Sequence, residues 1–196
     1  MGVLDSLRDL LGFGAEADAT RPADADDFFQ LPGASVTMEA DLDFAPMHVA
    51  ALCFGNVDST QFEHALRDVE DVLEFGGWRE LTTDDHGYRW AVVERDSFED
   101  LVTELYVAAD TMDEEGFGSR LLAAVFPFER DGERVYWIYS FRRGSFYPFA
   151  PRDGHERNTS LELKLQSVLE ADLDVEGETE YWYPLWADTP GGHPWE

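Results

Sequence analysis

The chain has 196 residues, 44% of them hydrophobic and 14% aromatic, with a formal charge of −28 at pH 7. That length fits one domain of ordinary size, and that apolar content is enough for a packed core, which excludes bulk disorder despite the charge. Its 42 carboxylates are spread over the whole chain and Lys164 is the single lysine among 14 basic residues, which excludes the basic face of a general nucleic-acid binder and predicts a protein of a salt-in halophile, whose like charges molar salt screens.

In chain order, residues 1–13 place Val3, Leu4, Leu7, Leu10 and Leu11 at helical spacing and predict a short N-terminal amphipathic helix. So short a helix is marginal alone in water. It folds back on its own domain, meets a partner protein, or makes a peripheral membrane contact. Residues 14–27 are small, acidic and aperiodic and read as an acidic linker. A single α+β domain is expected over residues 28–186. Val36, Met38 and Ala40 alternate with polar residues as in a strand, and residues 47–55 read as a second strand. Asp58-Ser59-Thr60-Gln61 resembles an N-cap ahead of a helix with Phe62, Leu66, Val69, Val72 and Leu73 on one face, stopped by Gly76-Gly77. Residues 78–83 and 88–94 predict a hairpin. Ser97 caps a second helix with Leu101, Leu105, Ala108 and Met112 buried, ended by Gly116. Residues 119–129 and 133–141 predict a further hairpin around Arg130-Asp131-Gly132, apolar enough to sit centrally in the sheet. Asn158-Thr159-Ser160 opens a third helix with Leu161, Leu165, Val168 and Leu169 buried, and residues 187–196 read as a C-terminal tail. The expected fold is therefore α+β: a mostly antiparallel sheet of about six strands packed with three main helices, plus the N-terminal helix.

No run approaches 18 apolar residues and no signal peptide is visible, so a cytoplasmic protein is expected. Cys53 is the only cysteine and lies in an apolar run, which fits a buried hydrophobe better than a nucleophile. There is no Gly-Lys-Ser/Thr and no Gly-x-Ser-x-Gly. His48, His64, His86, His155 and His193 share no metal-ligand spacing. No catalytic, cofactor-binding or metal residue is assigned, and no cofactor is expected.

One window stands apart. Residues 142–157 hold Arg142, Arg143, Arg152 and Arg157 against Asp153 and Glu156 only, and pack Phe146, Tyr147, Pro148, Phe149 and Pro151 between them. Adjacent guanidiniums grip carboxylates or phosphates in bidentate fashion, and aromatic rings supply a recognition face. The candidate partner-binding set is Arg142, Arg143, Ser145, Phe146, Tyr147, Phe149 and Arg152. Two readings stay open. Either these residues form a binding surface, or the arginines pair with the chain's own acids and the rings plug the end of the sheet.

Met1-Gly2-Val3-Leu4-Asp5, Phe117-Gly118-x-x-Leu121-Leu122, Arg143-Gly144-Ser145-Phe146-Tyr147-Pro148-Phe149-Ala150-Pro151 and Trp182-Tyr183-Pro184-Leu185-Trp186 resemble the PspA-associated PspAB family. The resemblance implies a non-catalytic accessory protein of an envelope-stress response, and the composition points to a halophilic archaeon. Its implied partner is a PspA-like coiled-coil protein, in the context of an HtpX-type membrane protease. The competing readings are an anion-binding or hydrolytic enzyme using Arg142 and Arg143, and a chaperone-like binding module.

Overall fold

The computed structural model describes residues 21–74, 78–187 and 193–195. The expected helix at residues 1–13 lies outside them, as does the first half of the expected linker, residues 14–20. The α+β class is as expected. Among the described residues there are four α-helices: α1 (Leu31–Leu42), α2 (Thr60–Glu74), α3 (Phe98–Glu114) and α4 (Thr159–Leu169). The strands β2 (Val49–Phe54), β3 (Trp78–Thr83), β4 (Arg89–Glu94), β5 (Leu121–Arg130), β6 (Glu133–Ser140) and β7 (Ser145–Phe149) form an antiparallel sheet in the order β3-β4-β2-β5-β6-β7. A two-residue strand β1 (Ala45–Pro46) pairs with the far end of β5, and β8 (Pro151–Arg152) pairs with β9 (Glu156–Arg157) beyond the sheet.

Local chemistry sets most of these boundaries. Ser97 accepts from the Asp100 N–H at 3.2 Å and starts α3, and Ser59 accepts from the Phe62 N–H at 3.1 Å at the start of α2. The turn between β5 and β6 is Asp131-Gly132, with φ of 49° and 83°. Both values lie in the left-handed region that two-residue hairpin turns require. The expected central hairpin is in place, with β5 and β6 paired from Ala123–Ser140 to Arg130–Glu133.

One element differs. The stretch with Val36, Met38 and Ala40 is the helix α1, not a strand. Its buried residues Leu31, Ala34, Ser35, Met38 and Leu42 follow a helical repeat, while Val36 is 67% exposed. The alternation at 36, 38 and 40 was incidental. Asp43 then ends the helix in the left-handed conformation, φ 59°, with its N–H donating to the Glu39 carbonyl.

All four helices contribute to the core on one face of the sheet, which includes Leu52, Phe54, Ala91, Phe126, Trp137 and Tyr139. The opposite face carries a second apolar layer, and Trp182, Leu185 and Trp195 belong to it. Residues 175–187 and 193–195 therefore act as a strap over the outer face. Every residue of β2 is buried because the sheet is covered on both sides.

Two segments read as loose are packed. Residues 21–27 belong to the domain: the Asp24 N–H donates to the Tyr139 hydroxyl at 2.9 Å, and Arg21 pairs with Asp27 and Asp174. In the expected tail, Trp195 is 5% exposed and buried against the sheet. Neither segment's packing was readable locally, because Tyr139, Asp174 and Trp90 each lie more than 100 positions from the residue they meet.

Candidate functional site

The arginine-aromatic window is not an exposed loop. Ser140 to Gly144 form a turn and Ser145–Phe149 is the edge strand β7, buried at every position. Pro148 lacks an N–H, which suits an edge strand. That outer edge is also covered. The Phe146 N–H donates to the Asp174 carbonyl at 2.8 Å and the Glu176 N–H to the Phe146 carbonyl at 2.7 Å. The strap thus begins as a parallel bridge along β7, closing an edge that would otherwise template further pairing.

The candidate residues separate by side-chain direction. Phe146 faces the helical core, where its ring lies 5.0 Å from Tyr139. Tyr147 and Phe149 face the outer layer and are 0% exposed. Burial pushes the Tyr147 hydroxyl pKa well up, so it stays protonated. Ser145 is buried, Arg142 is half-buried and Arg152 is exposed. A surface that presents the whole set to a partner is not what the fold builds: Arg143, Ser145, Phe146, Tyr147 and Phe149 are interior, because this stretch completes the sheet.

Arg143 is an internal clamp. Its side chain is 3% exposed, and Nε donates to Glu176 Oε2 at 2.6 Å. Its guanidinium stacks on the Tyr181 ring with Cζ 3.8 Å from the centroid. Glu176 also accepts from the Glu178 N–H at 3.0 Å and from Ser145 Oγ at 3.4 Å. Burial alone would raise the Glu176 pKa, but the hydrogen bonds from Arg143 and the Glu178 N–H outweigh it and hold the carboxyl below its ordinary value. Next to Arg143, Gly144 sits at φ +64° beneath the entering chain, where an added Cβ would lie 2.8 Å from the Pro22 carbonyl oxygen. Only glycine fits both demands.

Arg157 makes the second clamp, and it was not in the candidate set. Nη1 donates to the Trp182 carbonyl at 2.5 Å, and the guanidinium lies over the Phe149 ring at 5.5 Å. Its Nε serves Glu162, whose carboxylate is 1% exposed and also accepts from the Ala150 N–H at 2.8 Å. The arginine therefore joins α4, β7 and the strap. Sequence reasoning had placed it in the basic window, but nothing local marked Glu162, five residues on, as its buried partner.

Near Arg143 a groove of about 490 Å³ is lined by Arg21, Arg143 and Ser145 and by the acids Glu170, Asp174, Glu176 and Glu178. Its two guanidiniums are already paired with Asp174 and Glu176, so an anion would meet an excess of carboxylates. Among the described residues no group of three or more His, Cys, Asp or Glu side chains is placed to hold a metal, and no helix is long and apolar enough to cross a membrane. Burial pushes the Cys53 thiol well up, as for an inert core cysteine.

This is an α+β protein whose helices cover one sheet face and whose C-terminal strap covers the other, with Arg143 and Arg157 paired to buried carboxylates. The chain belongs to the PspA associated protein B family, PspAB, which it matches over residues 1–195. The family name marks an association with PspA. Neither a curated protein nor a solved structure matches the chain.

Proposed function

We propose that this protein is a non-catalytic accessory factor of a PspA-type envelope-stress response, working at molar cytoplasmic salt by binding a protein partner of the PspA coiled-coil kind. Membership of a family named for its association with PspA supports this reading. The observation that carries the non-catalytic part is Arg143. Of the two adjacent arginines that suggested an anion clamp, this one is buried and paired with Glu176, so it is not offered to a substrate. Arg152 is exposed at the rim of this region. The lone lysine and the charge of −28 support the halophilic setting.

The experiment is association of the full-length chain with a purified PspA-type coiled-coil protein at about 2–3 M KCl, where the Debye length is 3 Å or less, read by sedimentation velocity. Formation of a stoichiometric complex is expected. Failure to associate at tens of micromolar of each protein overturns the partner assignment.

A further inference from the structure

The outward side of α1 carries an apolar stripe. Residues 28–38 contain no Asp, Glu, Lys or Arg, in a chain where 29% of residues are charged. The helix buries Leu31, Ala34, Ser35, Met38 and Leu42, which turns Gly33, Val36 and Ala40 to solvent. Phe29, in the 3-10 turn Ala25–Gln30 that leads into α1, continues the stripe seven positions before Val36. Phe29 is 49% exposed and Val36 67%, and among the described residues Leu163 is the only other large hydrophobic side chain so open to water. A helix that is apolar all round is ordinarily covered all round. Here, among the described residues, nothing lies within 4 Å of the place a Cβ on Gly33 would take.

The stripe is held rigidly. The Phe29 ring rests 5.0 Å from Tyr106 of α3, and along the flank Gln30 and Thr37 donate to Asp174 and Asp172 at 2.9 and 2.8 Å. From Phe29 to Ala40 it forms a ridge about 17 Å long.

The start of the described chain fixes what can reach this ridge. Arg21 pairs with Asp27 and with Asp174, and Gln30 donates to the same oxygen of Asp174. The chain ahead of Arg21 is therefore anchored beside Gln30, at the first turn of the ridge. Residues 14–20 can span at most about 24 Å. Residues 1–13 set Val3, Leu4, Leu7, Leu10 and Leu11 on one helical face and as a helix would be about 20 Å long, a match for the ridge. The groove of about 330 Å³ that Tyr106 also lines is no rival seat, since Asp24, Asp26, Asp110 and Asp113 line it as well.

We infer that residues 1–13 dock as a helix on this ridge within the same chain, with Val3, Leu4, Leu7, Leu10 and Leu11 laid over Phe29, Gly33, Val36 and Ala40. Gly33 and Ala40 let the two backbones approach, and Phe29 and Val36 pack between the leucines. The short tether gives the segment an effective concentration of the order of millimolar, so a weak contact suffices. Apolar contact is not screened by molar salt, whereas a charged one is. Docking also covers the apolar face of the segment, which would otherwise be offered to a membrane or to another chain. The inference goes beyond the adaptor reading and does not depend on it.

The test uses full-length ¹⁵N-labelled chain in molar KCl with a nitroxide on Ser6→Cys, read as broadening of backbone amide resonances. Cys53 is buried and inert to the label. The amides of Gly33, Val36 and Ala40 are expected to broaden strongly, and those of Trp182 and Leu185, on the opposite face of the sheet, to stay sharp. Leu7→Asp/Leu10→Asp removes two anchors without touching the domain and is expected to restore at least half of the intensity at Ala40, the far end of the ridge. Val36→Asp is expected to do the same from the other side of the contact. Sharp α1 amides in the labelled wild type, or unchanged broadening in Leu7→Asp/Leu10→Asp, overturns the proposal. A mixture of ¹⁵N-labelled chain without nitroxide and nitroxide-bearing chain without ¹⁵N is expected to show no broadening at Val36. Broadening there would assign the ridge to a second copy and overturn docking within one chain.

Discussion

Arg157 donates from Nε to both carboxylate oxygens of Glu162, at 2.9 and 3.1 Å, across the start of α4. Glu162 is 1% exposed, so its charge is held in the interior by this one cation and by the Ala150 N–H. The other arm of the guanidinium holds the Trp182 carbonyl. A single side chain therefore couples two facts: a buried carboxylate is satisfied, and the strap is fastened to the sheet.

Arg157→Ala is expected to cost about 3–5 kcal/mol, because it strands a buried carboxylate, whereas pairs at the surface are worth about 1 kcal/mol or less. Adding Glu162→Gln to Arg157→Ala removes the stranded charge and is expected to recover part of that loss. Denaturant unfolding of both variants and the wild type at fixed KCl checks this. Arg157→Lys keeps the charge without the planar fork and is expected to fall between them. Equal stability of Arg157→Ala and the wild type would show that the pair contributes nothing.

The Arg143–Glu176 clamp sets an acid limit. The folded Glu176 pKa lies below the ordinary 4.5, so this group's contribution is complete above about pH 4.5. As pH falls through the depressed native value, the folded state must take up the proton and the contribution disappears. Glu176→Gln is expected to lower stability at pH 7 and to flatten its fall between pH 5 and 3. Melting temperatures of the two proteins across that range test it. Parallel curves would remove Glu176 from the acid transition.

How much of this was legible depended on how local the cause was. The Asp131-Gly132 turn, the Ser97 cap and the stripe at Leu101, Leu105, Ala108 and Met112 are written within a few residues, and each stands as read. The strand expected at Val36, Met38 and Ala40 failed because three alternating residues fit two periods. The helical one won once Leu31, Ala34, Met38 and Leu42 found a core to face. The burial of most of the candidate residues has a longer-range cause. Arg143 and Glu176 are 33 positions apart, and a basic window reads the same whether its charges face solvent or an acid elsewhere in the chain. Trp195 looked like part of a soft tail because Gly191, Gly192 and Pro194 surround it, while the apolar layer it joins includes residues of β2, β4, β5 and β6.

Gly144→Ala tests the packing of residues 21–22 against the turn. The substitution meets φ +64° and two backbone carbonyl oxygens, Pro22 at 2.8 Å and Arg21 at 3.0 Å. Gly132→Ala meets φ +83° with nothing within 4 Å. The conformational cost of about 1–2 kcal/mol is common to both. Gly144→Ala is therefore expected to be the more destabilising by at least about 1 kcal/mol, with the excess reporting the close approach. Urea unfolding of the two variants measures the difference, and equal losses would mean that the entering chain yields freely.

Asp84 ties the turn between β3 and β4 to Trp90 of the outer layer. One carboxylate oxygen accepts from the His86 and Tyr88 N–H groups at 2.9 Å and shapes the turn between β3 and β4. The other accepts from the Trp90 Nε1–H at 2.8 Å, and Trp90 is 2% exposed. Asp84→Ala removes all three bonds and leaves the buried indole donor unpaired, for an expected loss of about 2–4 kcal/mol. Asp84→Asn keeps one acceptor oxygen, which can serve the turn or the indole but not both, so its expected loss is about 1–2 kcal/mol. The two variants should also differ where Trp90 meets Trp195. The Trp90 and Trp195 rings lie 5.1 Å apart, so Asp84→Ala is expected to weaken the near-ultraviolet circular dichroism of the tryptophans before the far-ultraviolet signal changes on heating. Coincident loss of both signals in Asp84→Ala, as in a two-state transition, would show that the outer layer and the rest of the sheet open together.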